Sequence, residues 1–216
     1  MNRQIDIVLY RYEQFYNKQQ TKFTLGGISM TKGIIISGAS TTGKTTLAKE
    51  LAKLLEYSHM DLDDYYHRQD TEIPFTEFYS REEIREHVIN DIAINPHFVI
   101  SGNIGDILWD LINPLLDLAV LLFVPVKIRL ERARKREFAW FGDRILKGGD
   151  MHEGYIRHLH MIESYETGEP PAVCLKRHEI WAAELPCPVL RLDGTKPISE
   201  NISLIADQFR VILTIK

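Results

Sequence analysis

Short apolar runs alternate along this chain with longer segments in which apolar residues recur every three or four positions. A short apolar run rich in β-branched residues and bounded by turn residues is typical of a strand that is buried on both faces of a parallel sheet. Five such strands are predicted: residues 33–37, a short run ending before Asp61, and residues 97–101, 118–124 and 188–192.

Four of the intervening segments have the periodicity of helices. The first predicted helix is 45–57, with Leu47, Leu51, Leu54 and Leu55 on one face, and the second follows the capping box at Ser80, with Ile84, Val88 and Ile92 buried. The third is the strongly charged segment 126–138. The fourth is 199–212, with Ile202, Ile205, Phe209 and Ile212 facing inward. Strands that alternate with helices pack as layers. The predicted fold class is therefore α/β, a three-layer α/β/α fold with a five-stranded parallel sheet.

The first 30 residues differ in composition from the rest of the chain. They are rich in Gln, Asn, Tyr and Lys, they hold one short segment of helical spacing, and residues 24–29 have the glycine content of a linker. We interpret residues 1–30 as an N-terminal extension and residues 31–216 as the domain. Met30 directly precedes the first strand, so the native protein is hypothesised to start there.

Composition narrows the class of protein. The net charge of −4 disfavours a general nucleic-acid binder, and the longest apolar run is too short to span a bilayer. The chain has two cysteines, Cys174 and Cys187, too few for a disulfide scaffold. We expect a cytoplasmic monomer or homodimer with no nucleic-acid or membrane partner.

Residues 38–46 carry the strongest chemical signal in the chain. They match the pattern G-x-x-x-x-G-K-[ST], between a predicted strand and a predicted helix. Glycines let backbone amides converge on an anion, the helix N-terminus adds its positive dipole, and a lysine and a hydroxyl serve the terminal phosphates and magnesium. The motif predicts ATP and Mg²⁺ as cofactors, bound by Gly38, Ala39, Ser40, Thr41, Thr42, Gly43, Lys44, Thr45 and Thr46.

With this motif and this order of elements, residues 31–216 resemble the small P-loop kinases of the adenylate kinase, shikimate kinase and uridine kinase group. The resemblance implies transfer of the γ-phosphoryl group of Mg-ATP to a hydroxyl or phosphate of a small metabolite. A nucleoside or nucleotide is the first expectation for this acceptor, and a shikimate- or sugar-like compound is the second. The alternative is a regulatory module that binds or hydrolyses ATP without a small-molecule acceptor.

An acidic turn follows the second predicted strand. By the resemblance, Asp61 would hold magnesium together with Thr45, and Asp63 would position the acceptor hydroxyl. Tyr65 and Tyr66 would either stack on a ring or pack inside the protein. The acceptor-binding segment is expected at about 65–95, where an acidic acceptor would need a guanidinium from Arg68, Arg81 or Arg85.

A basic segment lies between the fourth and fifth predicted strands. Residues 127–147 hold eight Lys or Arg against three acidic residues. In the resembled group this position is a mobile lid, here about 127–150, whose arginines stabilise the transferred phosphate. Arg132 and Arg136 are the catalytic candidates with Lys44 and Asp63, and Arg144 is a further nucleotide contact. Phe138, Trp140 and Phe141 would either contact a base or form the hinge of the lid.

The remaining candidates are weaker. Asp193 and Gly194 follow the fifth strand, where the resembled kinases pass their chain around adenine. Ser101-Gly102-Asn103 lacks the glycine triplet and the acid expected after the third strand, which disfavours shikimate itself. The histidines at 152, 158 and 160 match no strong zinc motif, and we interpret them as ordinary exposed or packing residues.

Overall fold

A computed structural model describes residues 32–215 of the chain. Its centre is one sheet of five parallel strands in the order β2-β3-β1-β4-β5. The strands are β1 Lys32–Gly38, β2 Ser58–Asp61, β3 His97–Ser101, β4 Leu116–Phe123 and β5 Val189–Asp193.

Helices connect the strands and cover both faces of the sheet. They are α1 Lys44–Leu55, α2 Leu62–Tyr66, α3 Arg81–Ile94, α4 Asp106–Ile112, α5 Val126–Phe141, α6 His152–Glu163, α7 Leu175–Glu184 and α8 Ile198–Ile215, with short 3₁₀ turns at Asn113–Leu115 and Gly142–Ile145. Alternate strand residues point to opposite faces, so the central strand β1 sends Ile35 to one core and Ile34 and Ile36 to the other. The first core packs against α3, α4 and α7, and the second against α1 and α8.

The predicted fold class is confirmed, with two differences among the helices. The buried residues predicted after Ser80 and in the last helix face the core, but Leu54 of α1 is 57% exposed. The buried residues of α1 are Leu47, Ala48, Leu51 and Ala52, which carry the packing instead. Helices α2, α4, α6 and α7 were not expected. The interpretation of residues 1–30 lies outside the described residues.

No helix within residues 32–215 is both long enough and apolar enough to cross a membrane.

Helices α5 and α6 pack on each other through a small core of their own, formed by Ala133, Leu159 and Ile162. Beside it, Arg129 is fully buried. Its guanidinium donates to the carbonyls of Val124 at 2.9 Å and Ile162 at 3.0 Å, and pairs with Glu166. Arg129 is one of the eight basic residues of segment 127–147, which was expected to form the lid. Its hydrogen bonds show instead that it fastens α5 to the end of α6.

We expect Arg129→Ala to lower the free energy of unfolding by about 3 kcal/mol, because it leaves buried carbonyls and Glu166 without their donor. Urea denaturation measures this loss. The matched control is Arg134→Ala, an exposed position on the same helix, which should cost less than about 0.5 kcal/mol. Equal losses in the two variants would contradict this role for Arg129.

Candidate active site

The loop between β1 and α1 has the backbone of an anion-binding nest. Gly38 has φ of +145° and Gly43 has φ of +96°, angles that favour glycine. A β-carbon on Gly38 would also collide with the carbonyl oxygen of Leu122. Gly43 caps α1 without a side-chain hydrogen bond to the first turn. The first amides of α1 are therefore left to bind an anion.

Lys44 lies within this nest. Its ammonium donates to the carbonyl of Ala39 at 2.8 Å, so it folds back over the loop. Burial lowers the pKa of Lys44 to about 8, while the charges of Asp63 and Asp61 oppose that shift. The loop cation and the two carboxylates of the acidic turn are therefore close enough to share one electrostatic environment.

The end of β2 positions the acidic turn. Asp61 is the last residue of the strand and caps α2, its carboxylate accepting from the backbone N–H of Asp63 at 3.3 Å. The hydroxyl of Thr45 and the carboxylate of Asp61 are oxygen donors of the kind that Mg²⁺ prefers, with phosphates and waters completing its shell. No group of three His, Cys, Asp or Glu side chains suited to a metal occurs in residues 32–215.

Asn103 supports the loop from the end of β3. Its side-chain oxygen accepts from Ser37 Oγ at 2.8 Å and from the backbone N–H of Gly38 at 3.3 Å. Asp106, the next acid along the chain, pairs with Arg177 at 2.7 Å. The residue that stands where an acid was expected therefore holds the first glycine of the loop in place.

Arg132 and Arg136 of α5 both reach the loop region. Arg132 donates to the carbonyls of Thr42 and Gly194, each at 3.3 Å, and so joins α5, the loop and the end of β5. Arg136 lies over the ring of Trp140 at 4.8 Å from its centroid, and its charge contributes to the lowered pKa of Lys44.

Two other predicted contacts of the nucleotide are engaged elsewhere. Arg144 forms an ion pair with Asp150 at 2.7 Å. The carboxylate of Asp193 accepts from the backbone and hydroxyl of Thr195 at 2.8 and 2.7 Å, which shapes the turn after β5. The structure therefore brings Gly194, but not these two side chains, into hydrogen-bond contact with the residues around the loop.

One group at the loop was missed by sequence analysis. His158 of α6 lies with Nε2 at 2.8 Å from Ser40 Oγ, and its Nδ1 meets the carboxylate of Glu137 on α5. Glu137 is only 6% exposed. The available signal was the four-residue spacing of Arg129, Ala133 and Glu137, which places all three on the buried stripe of α5.

The tyrosines and arginines expected in the acceptor segment are mostly bonded to the protein itself. Tyr65 donates to Asp91 at 2.5 Å, and Tyr66 accepts from the backbone N–H of Gly105 at 2.8 Å, so packing is the better interpretation of both rings. Burial raises the pKa of Tyr66 to about 12.

Two of the three candidate guanidiniums face carboxylates. Arg68 pairs with Glu83 at 3.3 Å, and Arg85 makes two hydrogen bonds to Asp110 at 2.7 and 2.8 Å. Arg81 is exposed in the first turn of α3. The segment therefore neutralises much of the positive charge that an acidic acceptor would need.

A cavity of about 500 Å³ lies beside Asp61, and no residue of the phosphate loop lines it. It is lined by His59, Met60, Asp61, Asp64, Tyr65, Tyr79, His87, Asn90 and Asp91. Burial and the charges of Asp61 and Asp63 raise the pKa of Asp64. The lining is aromatic and acidic, and it includes no Lys or Arg.

Comparison with known proteins places the chain in a family. Uncharacterized protein YqaC of Bacillus subtilis strain 168 is 34% identical over 179 residues, which are 82% of this chain and 97% of that protein. The chain belongs to the YqaC family. No family model matches it.

Solved structures resemble this member of the YqaC family at low sequence identity. A "putative kinase" of Chloroflexus aurantiacus is 16% identical, covers 86% of this chain and 99% of its own, and has a TM-score of 0.50. A shikimate kinase of Bacteroides thetaiotaomicron is 17% identical, with coverage of 82% and 98% and a TM-score of 0.46. The first likeness shows the fold alone: this chain shares the α/β fold of the Chloroflexus protein.

His178 of α7 is a buried histidine that lies close enough to Lys44 of the phosphate loop to be affected by its charge. Tyr165 O–H lies 2.5 Å from its Nδ1, and its Nε2 has no hydrogen-bond partner among residues 32–215. Burial lowers the pKa of His178 to about 4, and the charge of Lys44 acts in the same direction. The folded protein therefore holds this ring neutral, as an acceptor for Tyr165.

We expect this to make the fold sensitive to acid. Between the unfolded pKa of about 6.5 and the folded value of about 4, the unfolded chain binds a proton that the folded chain rejects. Stability should therefore fall as the pH drops through this window, by up to about 3 kcal/mol from this residue. Urea denaturation from pH 7 to pH 4 should show a shallower fall for His178→Gln than for the unmodified protein.

The control for this experiment is His160→Gln, an exposed histidine on α6, which should keep the slope of the unmodified protein. If the His178→Gln slope equals that of the control, His178 is not the titrating group.

Proposed function

We propose that this chain binds Mg-ATP and transfers its γ-phosphoryl group to a hydroxyl of an uncharged small metabolite. The observation that carries the proposal is the position of Lys44. Its ammonium lies in a nest of free helix amides and shares its surroundings with Asp61 and Asp63. A cation for phosphates next to carboxylates for metal and acceptor is what phosphoryl transfer needs.

The loop and α1 perform the binding step. Amides of residues 39–45 and the positive end of the α1 dipole hold the phosphates, and Lys44 turns from the Ala39 carbonyl toward the terminal ones. Thr45 and Asp61 would hold Mg²⁺, which neutralises charge on the phosphates when bound. Because the loop binds any nucleoside triphosphate tail in this way, it does not select the acceptor.

Asp63 is the candidate for positioning the acceptor. It is exposed in the first turn of α2, next to the Asp61 that caps the helix. A carboxylate there accepts a hydrogen bond from the acceptor hydroxyl and aligns it for in-line attack on the γ-phosphorus. The hydroxyl proton passes to this carboxylate or to solvent as the new P–O bond forms and the bond to ADP breaks.

Arg132 and Arg136 are the candidates for stabilising charge in the transition state. Arg132 already contacts the loop carbonyl of Thr42, and Arg136 lies close enough to influence Lys44. A small rotation of either guanidinium would exchange a weak contact of 3.3 Å or more for a phosphate oxygen. The ion pair of Arg144 with Asp150 makes it the weaker candidate.

The acceptor segment supports an uncharged acceptor. Arg68 and Arg85 are paired with carboxylates, and the cavity beside Asp61 has an acidic and aromatic lining. A carboxylate- or phosphate-bearing acceptor would meet repulsion there, whereas hydroxyls can donate to carboxylates and a ring can stack on tyrosine. Nucleosides are therefore our first choice and neutral sugars our second, ahead of nucleotides and shikimate-like acids.

We expect Lys44→Ala and Asp63→Asn each to lower turnover by about a hundredfold or more, because each removes a charge used in transfer. Steady-state ADP release with a working acceptor measures this. The matched controls are Lys49→Ala, further along α1, and Asp207→Asn on α8; both side chains are exposed, and both variants should keep the rate within about twofold. Near-normal rates in both site variants, with intact folding by circular dichroism, would contradict the assigned roles.

A screen of acceptors tests the substrate class. With Mg-ATP, nucleosides or neutral sugars should raise ADP release at least about tenfold above the background without acceptor, and shikimate-like acids should not. Fastest release with an acidic acceptor would overturn the proposed acceptor class. Slow release that no metabolite changes would point instead to a regulatory module that hydrolyses ATP.

A further inference from the structure

The three middle residues of the phosphate loop are each tied to the helix pair α5–α6. Ser40 meets His158 at 2.8 Å, Thr41 donates from its hydroxyl to the carbonyl of Arg129 at 2.8 Å, and the carbonyl of Thr42 accepts from Arg132 at 3.3 Å. Two of these contacts end on backbone atoms. The contact of Ser40 with His158 joins two side chains, and it continues inward to Glu137.

Glu137 places a buried negative charge near the phosphate loop. Its side chain is buried close to a loop that is built to attract anions. A buried carboxylate is costly unless it is hydrogen-bonded and its charge is balanced, and a bare one here would repel a bound phosphate. Its partners are His158 and, at 3.5 Å, Arg136. The histidine therefore stands between the carboxylate and the loop.

The hydrogen-bonding capacities fix how this chain of groups can be arranged. An ionised carboxylate only accepts, so the proton of the ring lies on Nδ1, which donates to Glu137. A phosphate oxygen also only accepts. If Ser40 is to donate to a phosphate, its oxygen must accept from Nε2–H of His158. Every group is then satisfied: His158 donates from Nδ1 to Glu137 and from Nε2 to Ser40, and Ser40 donates to the phosphate, so the ring separates two anions.

We propose that His158, oriented by Glu137, is a positioning residue that turns the Ser40 hydroxyl toward the bound phosphate of the nucleotide. The inference rests on the proposed function, since it needs a nucleotide in the loop. Binding of a nucleotide would then affect α6 directly, because the Ser40 hydroxyl that contacts His158 would also contact the phosphate.

The test is a double-mutant cycle read by titration calorimetry with Mg-ATP. Ser40→Ala and His158→Ala should each weaken binding about five- to twentyfold, because each removes the directed donor. The double variant is compared with Ser40→Ala in the Glu137→Gln background, where removal of His158 leaves no bare carboxylate. There it should bind within about twofold of the Ser40→Ala variant, since His158 acts through that hydroxyl. Glu137→Gln alone should lie between the unmodified protein and His158→Ala, because the amide still accepts from Nδ1–H but more weakly than a carboxylate.

The control on the same helix is His160→Ala, an exposed residue that should leave the affinity unchanged. Ser40→Thr, which keeps the hydroxyl, should bind more tightly than Ser40→Ala, and this comparison decides the matter if His158→Ala does not fold. Multiplicative losses in the double variant, or equal affinity of Ser40→Thr and Ser40→Ala, would overturn the inference while leaving ATP binding intact. Absence of any heat with the unmodified protein would overturn the proposed function and this inference together.

Discussion

The structure is organised around unpaired backbone amides at the start of α1. Ser80 satisfies a first N–H group of α3 with its side chain, but the cap position of α1 is Gly43, which has no side chain to do so. The amides are left to a ligand, and the aligned dipole of α1 favours an anionic one. The left-handed angles of Gly38 and Gly43 and the collision that a β-carbon on Gly38 would meet both follow from this demand on the loop.

Two charged side chains of α5 are buried near the loop for different reasons. Arg129 is bonded to carbonyls and to Glu166, so its charge serves packing, whereas Glu137 reaches the loop through His158. Both lie on one stripe of α5 with Ala133. One helix therefore uses a buried cation to fasten itself to α6 and a buried anion to hold the histidine that contacts the loop, so a count of basic residues in this segment describes it poorly.

The features that could be predicted from the sequence are those that depend on residues close together along the chain. The strands, the loop and its flanking elements follow from local runs and spacing, and the fold class follows from their alternation. The role of His158 depends on a contact with Ser40, 118 positions away, and no local pattern encodes it. Leu54 was misplaced for a related reason: periodicity identifies a helical face, but only the position of α1 against the sheet decides where that face ends.

The same distinction separates ATP binding from acceptor choice. The loop is a local structure and would bind a triphosphate in many chains of this fold, so its motif says little about the second substrate. In the proposed function, selectivity for the acceptor comes from α2, α3 and the cavity beside Asp61, and it depends on how the charges there are paired. Because Asp110 and Glu83 already occupy Arg85 and Arg68, an acidic acceptor would have to break an ion pair before it gained one. A hydroxylated, uncharged acceptor meets no such competition, and this difference in pairing, not the loop, favours one substrate class over the other.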